Sequence, residues 1–482
     1  MLTRGEHLSV DERVARGQVA RDRVPPSAHT GWSPRADRPD PVDLIEQQNR
    51  RREADLVPVR HGRMAASPFT FYRGAAAIMA ADLEGTPTAG LTVQLCGDAH
   101  LSNFGVYGSP ERRLVFDIND FDETLPGPFE YDVKRLAASL TVAATHHGLP
   151  ASDVSDITRA TVASYREAMA GFARMRTLDV WYAHVSEDDL EQATRQAADD
   201  LVQQKGKDKV LRKEVKKAEK RFEKNLRKAR SRDSLQALSK LTELVDGARR
   251  IVSAPPVVVP LRELYTTYGL DPEEVEGVIL QAFSEYRRSL QPDRRALLEK
   301  FEAVDWARKV VGVGSVGTRA FIGLLEGRDA DDPLFLQIKE AGPSVLEGPL
   351  PRSRFRQAGE RVVQGQRLMQ ASSDILLGWS KGAEQGRYFY WRQLRDMKGS
   401  AVVELMAPRT LAFYGGLCGW TLARAHARSG DPVAITAYLG TDDAFDRSVT
   451  DFALRYAEQN ERDFAAFTEA IRTGRIDALS GV

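Results

Sequence analysis

Carboxylate and amide side chains cluster in one short stretch of this sequence. Asp98, His100 and Asn103 follow a short apolar segment, and Asp120 and Asp122 follow a second apolar segment. A hard cation such as Mg²⁺ prefers oxygen ligands and keeps part of its coordination shell for phosphate and water. The pattern therefore predicts a site where a carboxylate base, an amide and a metal-binding carboxylate meet, which is the arrangement used for phosphoryl transfer.

The residue types suggest individual roles. Asp98 would act as the base toward a substrate hydroxyl, with Asn103 and Asp120 as metal ligands and Asp122 in support. The alternative is that Asp98 and Asp120 are turn and capping residues, because Asp is common at such positions. For His100 the sequence leaves three roles open, namely bracing of the loop, metal ligation and proton transfer.

Two predicted strands and a helix must position these groups. The strands cover residues 93–95 and 114–118, and we expect them to be adjacent, so that the side chains after them converge on one cation. The helix begins at Asp132 and carries Leu136 and Leu140 on one apolar face.

A second candidate set follows Lys309. Gly312, Gly314 and Gly317 form a G-x-G-x-x-G pattern that includes Ser315, which alone is weak evidence. The apolar residues 310–311 lead into the glycines, and strands are predicted after them at 318–325 and 334–338. This order favours a kinase-type glycine loop over a dinucleotide-binding turn, which needs a helix after the glycines.

Lys339 ends the second of these strands and would hold the phosphates of a nucleotide. Glu360, on a later predicted helix, is the expected partner of Lys339, with Glu347 as an alternative. Gln393 lies at the end of a further predicted strand, where backbone groups could meet adenine. A solvent-facing position is the alternative for Lys339.

The stretch from Gly97 to Asn103 resembles the catalytic loop of the aminoglycoside and choline phosphotransferases, a protein-kinase-like superfamily. Residues 120–122 (DFD) resemble its metal-binding motif, and residues 127–132 (GPFEYD) resemble its downstream motif. One departure is Cys96, where those enzymes usually carry histidine. More closely, most of residues 20–475 resembles an uncharacterised bacterial family near those kinases, a domain of unknown function. The motifs that carry this likeness are FTFYRG (69–74), RVVQGQRLMQ (361–370) and RQLRDMKGS (392–400).

This resemblance implies ATP and Mg²⁺ as cofactors, and it implies that Asp132 anchors the catalytic loop through backbone hydrogen bonds. It also implies an α+β, helix-rich, protein-kinase-like fold with two lobes. The catalytic loop precedes the glycine loop, which reverses the order in kinases, so we expect a circular permutation.

The expected organisation has four parts. An extended N-terminal arm with a short helix near residues 41–52 covers residues 1–55, and a helical lobe with the catalytic loop covers residues 56–300. A basic helical insertion lies near 185–250, and its segment 205–232 is interpreted either as a solvated helix face or as an RNA- or partner-binding arm. A β-rich nucleotide-binding lobe covers residues 301–400, and C-terminal helices over residues 401–482 complete the large lobe.

Composition excludes several classes of protein. The 482 residues carry 68 Lys and Arg against 68 Asp and Glu, so no net charge attracts nucleic acid or membrane, and we expect neither as a partner. Two cysteines give no disulfide framework, which fits a reducing cytoplasm. The start of the chain has no apolar signal core, and no segment has the apolar length to span a membrane.

These observations together predict an ATP- and Mg²⁺-dependent phosphotransferase that acts on a hydroxyl of an unknown acceptor. Three alternatives stay open. One is a non-catalytic, regulatory protein that binds a nucleotide. A metal-dependent phosphoesterase would use Asp98 and His100 as a D-x-H motif, although the chain has eight histidines and no G-N-H element. Transfer of AMP is also compatible with a kinase-like fold, since fold does not fix function.

Overall fold

The computed structural model describes residues 8–205, 224, 226–231, 234–245, 248–268, 271–310, 312–384, 386–394 and 397–481. The helices with defined bounds are α1 (Val10–Arg23), α2 (Pro41–Asn49), α3 (Val57–Met64), α4 (Pro68–Gly74), α5 (Ala76–Leu83), α6 (Glu130–His146), α7 (Ala151–Phe172), α8 (Thr177–Tyr182), α9 (Glu187–Lys205), α10 (Ser234–Leu241), α11 (Leu261–Tyr268), α12 (Pro272–Ser289), α13 (Pro292–Leu298), α14 (Ala358–Met369), α15 (Pro408–Ser429), α16 (Pro432–Leu439) and α17 (Ala444–Arg472). The strands are β1 (Thr92–Leu95), β2 (Phe104–Gly108), β3 (Leu114–Ile118), β4 (Leu125–Pro128), β5 (Val185–Ser186), β6 (Thr242–Val245), β7 (Ala248–Ile251), β8 (Val258–Pro260), β9 (Glu302–Lys309), β10 (Ala320–Glu326), β11 (Pro333–Ala341), β12 (Gly378–Lys381), β13 (Tyr388–Gln393) and β14 (Gly399–Ser400).

The largest sheet in the described part of the chain is antiparallel, with six strands in the order β12-β13-β11-β10-β9-β8. Strand β11 is central and is buried along nearly its whole length, because both faces of the sheet are covered. Leu334, Leu336 and Ile338 pack with Tyr286 of α12 on one face, and Phe335 joins a separate apolar cluster. Since side chains alternate along a strand, Lys339 lies on the face of Phe335.

A second sheet has the strand order β14-β2-β3-β5, and β1 pairs only with β4. The prediction that residues 93–95 and 114–118 form adjacent strands is therefore wrong. The partner of β3 is β2, whose sequence (FGVYG) carries two glycines and gives a weak strand pattern. The β2–β3 pair places Phe104 opposite Ile118, so the residues before β2 and after β3 meet.

Helix α6 lies at the centre of the helical part and is buried from Glu130 to Ala144, because α4, α7, α15 and α17 all pack around it. The predicted helix beginning near Asp132 is therefore confirmed, although its whole circumference, not one face, is covered. The expectation of an α+β, helix-rich chain is also confirmed. No helix among the described residues has the length and apolar character needed to cross a membrane.

In the N-terminal arm, α2 confirms the short helix predicted near residues 41–52, whereas α1 lies where an extended segment was predicted. Helix α1 packs against α16. Arg21 of α1 donates to the carbonyls of Tyr438 and Leu439 at 2.8 and 2.7 Å. Most of the basic segment 205–232, including residues 206–223, lies outside the described residues.

A buried ion pair joins β3 to α15. Arg424 and Asp117 are each 1% exposed and are hydrogen-bonded to each other. Replacement of Arg424 by Met keeps most of the side-chain volume but leaves the Asp117 carboxylate buried without its cation. We expect the free energy of unfolding to fall by about 3–5 kcal/mol, measured by urea denaturation.

The matched control is Arg447→Met, which removes the exposed ion pair of Arg447 with Asp443 in α17. That change should cost about 1 kcal/mol or less. Equal losses in the two variants would contradict a structural role for the buried pair.

Candidate active site

A cavity of about 700 Å³ lies where the end of β3, the glycine-rich loop and the N-terminal helices meet. This volume falls in the range of small-molecule sites, which is roughly 300–1,000 Å³. The predicted residues that line it are Asp98, His100, Asn103, Asp120, Asp122, Gly312, Gly314 and Ser315.

The loop after β1 is held in place from α6. Asp132 accepts hydrogen bonds from the backbone N–H groups of Cys96 and Gly97 at 2.7 and 3.1 Å. Gly97 has φ of +86°, and a Cβ there would collide with the carbonyl of Glu123, so glycine is required. The predicted anchoring role of Asp132 is confirmed. His426 of α15 lies 3.3 Å from the Asp132 carboxylate, so a histidine supports the loop from a distant part of the chain.

Asp98 is fixed by a buried arginine. Arg135 Nε donates to Asp98 Oδ1 at 2.8 Å, and the Arg135 side chain is 4% exposed. The Asn103 amide donates to the backbone carbonyl of Asp98 at 2.8 Å, which leaves the Asn103 amide oxygen as its acceptor group. Asp98 therefore presents its second carboxylate oxygen with the loop geometry set on both sides.

His100 is buried, and its Nε2 lies 3.6 Å from Asp98 Oδ2. Burial lowers the pKa of His100 to about 4, and the Asp98 carboxylate only partly opposes this shift. The imidazole is thus neutral at pH 7 and does not form a charged pair with Asp98. Its Nδ1 has no hydrogen-bond partner among the described residues.

Lys339 joins the six-stranded sheet to the loop after β3. Its ammonium donates to Asp120 Oδ2 at 3.3 Å and to Asp122 Oδ2 at 3.1 Å, although the first pair is 219 positions apart in sequence. Tyr390, opposite Lys339 on β13, donates its hydroxyl to Asp122 Oδ1 at 2.6 Å. The pairing of β2 with β3 brings Asn103 to the same place, because the Asn119 N–H donates to the Asn103 carbonyl at 2.7 Å.

Cations dominate the electrostatics at Asp120. Burial would raise the pKa of Asp120, but Lys339, Arg392 and Lys398 outweigh it and hold the pKa well below its usual range. Burial lowers the pKa of Lys398 to about 7, and repulsion from Arg392 adds to this. Asp120 therefore stays ionised, whereas Lys398 is the cation there that loses its charge most readily.

The environment of one carboxylate oxygen of Asp120 favours a bound cation at this site. Asp120 Oδ1 is buried without a hydrogen-bond partner in the described chain, and such an atom costs free energy unless it binds something. Oxygens of Asp120, Asp122 and Asn103 form a donor set that fits Mg²⁺. The described residues hold no group of three or more His, Cys, Asp and Glu able to bind a metal, so this set depends on the Asn103 amide and on ligands from outside the chain.

The glycine-rich loop connects β9 and β10 above these carboxylates. Gly312 and Gly317 have φ of +68° and +82°, which favours glycine at both positions. Ser315 Oγ lies 3.5 Å from Asp122. The N-terminal arm holds the loop, because Arg52 donates to the Val316 carbonyl at 2.5 Å and the Glu53 N–H donates to the Gly317 carbonyl at 2.8 Å.

Two predicted residues lie elsewhere. Glu360 is not a partner of Lys339, whose hydrogen bonds in the described structure go to Asp120 and Asp122. The backbone N–H and side chain of Gln393 both donate to Asp374, at 2.5 and 2.9 Å, so this N–H is not available to adenine. Both expectations are wrong, because α14 and β13 contribute residues other than Glu360 and Gln393 to the site.

Sequence reasoning missed Arg361, the neighbour of Glu360. Arg361 is 2% exposed and donates to the carbonyls of Asp122 and Thr124 at 2.7 and 2.6 Å. It thereby fixes the backbone that carries the Asp122 carboxylate. The available signal was its place in the RVVQGQRLMQ motif, but that motif does not say which side of the helix faces the loop.

Fold and site together define an α+β protein in which an acidic loop (residues 119–122) and a glycine-rich loop (residues 312–317) face one cavity. Residues 52–470 match the family described as "Uncharacterized protein conserved in bacteria (DUF2252)", and the chain belongs to that family. The searches of curated proteins and of solved structures found no match.

Replacement of Lys339 by Met should test the interaction that joins the sheet to the acidic loop. Without the ammonium, Asp120 and Asp122 repel each other in a partly buried place. Because these carboxylates are 28% and 29% exposed, we expect a loss of about 2–3 kcal/mol in unfolding free energy at pH 7, below the cost at a fully buried pair.

The loss should shrink as the pH falls. In the wild type the depressed pKa of Asp120 contributes stability above about pH 4, and this is lost on acidification. In Lys339→Met that contribution is absent, so the two stability curves converge in acid. Lys381→Met, at the exposed end of β12, is the control and should follow the wild type. A pH-independent difference would contradict the electrostatic explanation.

Proposed function

We propose that this protein is an ATP- and Mg²⁺-dependent phosphotransferase that acts on a hydroxyl of an acceptor. The observation that carries the proposal is the hydrogen bonding of Lys339 to Asp120 and Asp122, which line one cavity with Asp98 and Asn103. Two stretches far apart in sequence each carry half of a phosphoryl-transfer site, and they face one cavity.

A nucleotide triphosphate with Mg²⁺ would supply the transferred phosphoryl group and reduce its charge repulsion. Asp120 and Asp122, with Asn103, would hold the cation through oxygen. Lys339 and the glycine-rich loop would bind and orient the phosphates, as in kinases. In such sites positioning and charge neutralisation provide most of the rate enhancement.

Asp98 would orient the acceptor hydroxyl and take its proton. Its Oδ1 is occupied by Arg135, so Oδ2 is the oxygen that would receive the proton. The hydrogen bond from Arg135 also holds the Asp98 carboxylate in place, which favours orientation of the acceptor hydroxyl. His100, neutral at pH 7, would support this loop without carrying charge.

We propose a protein-kinase-like arrangement of two lobes in permuted order for this chain. The support is the six-stranded antiparallel sheet with α14 beside it, and the placement of a glycine-rich loop and a buried lysine on that sheet. The acidic loop comes from the helical part earlier in the chain. The phosphoesterase alternative is less favoured, because the described residues offer no cluster of histidines and carboxylates for a metal pair.

Calorimetric titration with ATP, with and without Mg²⁺, tests this function. We expect magnesium-dependent binding in the wild type and a loss of about tenfold or more in Asp120→Ala, because a cation ligand is removed. The control is Asp329→Asn, an exposed turn residue between β10 and β11, which should bind like the wild type. Absence of nucleotide binding in the wild type under both conditions would refute the proposal.

The role of Asp98 is tested separately with Asp98→Asn. This change keeps the size of the side chain and removes the proton acceptor. The rate of ATP turnover, measured with water or with an identified acceptor, should therefore fall about 10²–10⁴-fold. Affinity for a non-hydrolysable ATP analogue should stay within about twofold, because Asp98 is not placed among the nucleotide ligands. Unchanged turnover in Asp98→Asn would assign the base to another residue.

A further inference from the structure

The cavity continues beyond the acidic loop into a second half formed by the N-terminal arm. Arg52, Arg60 and Arg73 line this half, together with Gln48 of α2. Arg73 lies near the loop that carries Asp98 and His100, since its charge acts on His100 and is itself influenced by Asp98. The second half is therefore next to the oxygen that would receive the hydroxyl proton.

Arg60 is a buried cation without an anion. It is 1% exposed, and its guanidinium donates to Asn49 Oδ1, to Gln48 Oε1 at 3.0 Å and to the Gly74 carbonyl at 3.1 Å. All three acceptors are uncharged, and Arg60 Nε has no partner. A buried charge of this kind is costly unless an opposite charge comes to it.

Arg52 and Arg73 are less completely unpaired than Arg60. The one side-chain hydrogen bond of Arg52 in the described structure goes to the Val316 carbonyl, and nearby carboxylates such as Glu123 act on its charge without a bond to it. Arg73 reaches Glu404 only at 3.8 Å, and its buried Nε has no partner. Arg52 lies close enough to Arg60 for the two charges to repel.

Most acidic residues of the cavity are bonded to cations other than these arginines. Asp98 pairs with Arg135, and Asp120 and Asp122 pair with Lys339. Glu340 pairs with Arg319 and Arg387 at 3.4 and 3.0 Å. Glu123 accepts the Val345 N–H at 2.7 Å, and its charge acts on Arg52 without a hydrogen bond between them in the described structure.

We propose that Arg52, Arg60 and Arg73 form a subsite for a phosphate group carried by the acceptor, which would be a phosphorylated compound with a free hydroxyl. Guanidinium groups match phosphate in shape and charge, and several donors can share its oxygens. A cationic acceptor would be repelled here. That the bound compound is the phosphoryl acceptor rests on the proposed function, but the existence of the anion subsite does not.

Titration with inorganic phosphate, followed by calorimetry on the full chain, tests the subsite. One series uses the protein alone, and the other uses protein saturated with a non-hydrolysable ATP analogue and Mg²⁺. We expect phosphate to bind in both series. Arg52→Gln and Arg73→Gln should each weaken phosphate binding to the protein alone about tenfold. Arg73→Gln should leave the affinity for the analogue within about twofold, whereas Arg52→Gln also removes a bond to the glycine-rich loop and is used only in the phosphate series.

Arg50→Gln is the matched control, since Arg50 is exposed, lies two residues from Arg52 and does not line the cavity. Thermal unfolding midpoints show whether each variant is folded, and Arg52→Lys provides a folded variant that keeps the charge and should recover part of the affinity. No phosphate binding in the wild type would overturn the proposal.

Loss of phosphate binding on saturation with the analogue, together with weaker analogue binding in Arg73→Gln, would also overturn it. That result would show that the arginines hold the phosphates of the nucleotide. If the analogue does not bind the wild type at all, the proposed function fails, while the phosphate series on the protein alone still decides the subsite.

Discussion

The site depends on one buried ammonium group. Lys339 stands on the central strand of the six-stranded sheet and reaches two carboxylates of a loop that belongs to the helical part. Neither side is stable alone, because a buried lysine and two adjacent carboxylates each carry a large desolvation or repulsion cost. The interaction therefore fixes how the sheet sits over the loop, and Tyr390 and Arg361 add hydrogen bonds that keep Asp122 in place.

The second constraint is the closure of the cavity by the N-terminal arm. Arg52 and Glu53 bind the backbone of the glycine-rich loop, and Arg60 packs behind them. A glycine-rich loop without such contacts would have high conformational freedom, because glycine restricts the backbone least. The arm thus orders a loop that the sheet alone holds only at its two ends.

Local motifs could be read from the sequence, whereas long-range placement could not. The anchoring of the loop by Asp132 was expected from the resemblance of residues 127–132 to a known motif, and it joins segments that are close in sequence. The partner of β3 was missed because β2 has a weak strand pattern. Glu360 and Arg361 are adjacent on a helix and point about 100° apart, so a prediction that is one residue off selects the wrong side chain.

The N-terminal arm shows a second limit of prediction from sequence. Helix α1 is polar in sequence, and its contact with α16 uses the small residues Gly17 and Ala20. A Cβ at Gly17 would collide with the Ala434 carbonyl, so this contact depends on backbone approach and not on an apolar stripe. Hydrophobic periodicity, which is the main signal for a helix, carries no trace of such packing.

The distribution of charge connects the stability of the chain to its ligands. Asp98, Asp120 and Asp122 each have a cation from within the chain, but the side-chain hydrogen bonds of Arg52 and Arg60 in the described structure go to neutral acceptors. This arrangement makes the free protein less stable than one with a paired or apolar residue at Arg60. Because a ligand that binds only the folded state adds stability, an anion in this half of the cavity would offset that cost. The same residues would then set the affinity for the anion and limit the stability of the empty protein, as expected where a binding site is built before its ligand arrives.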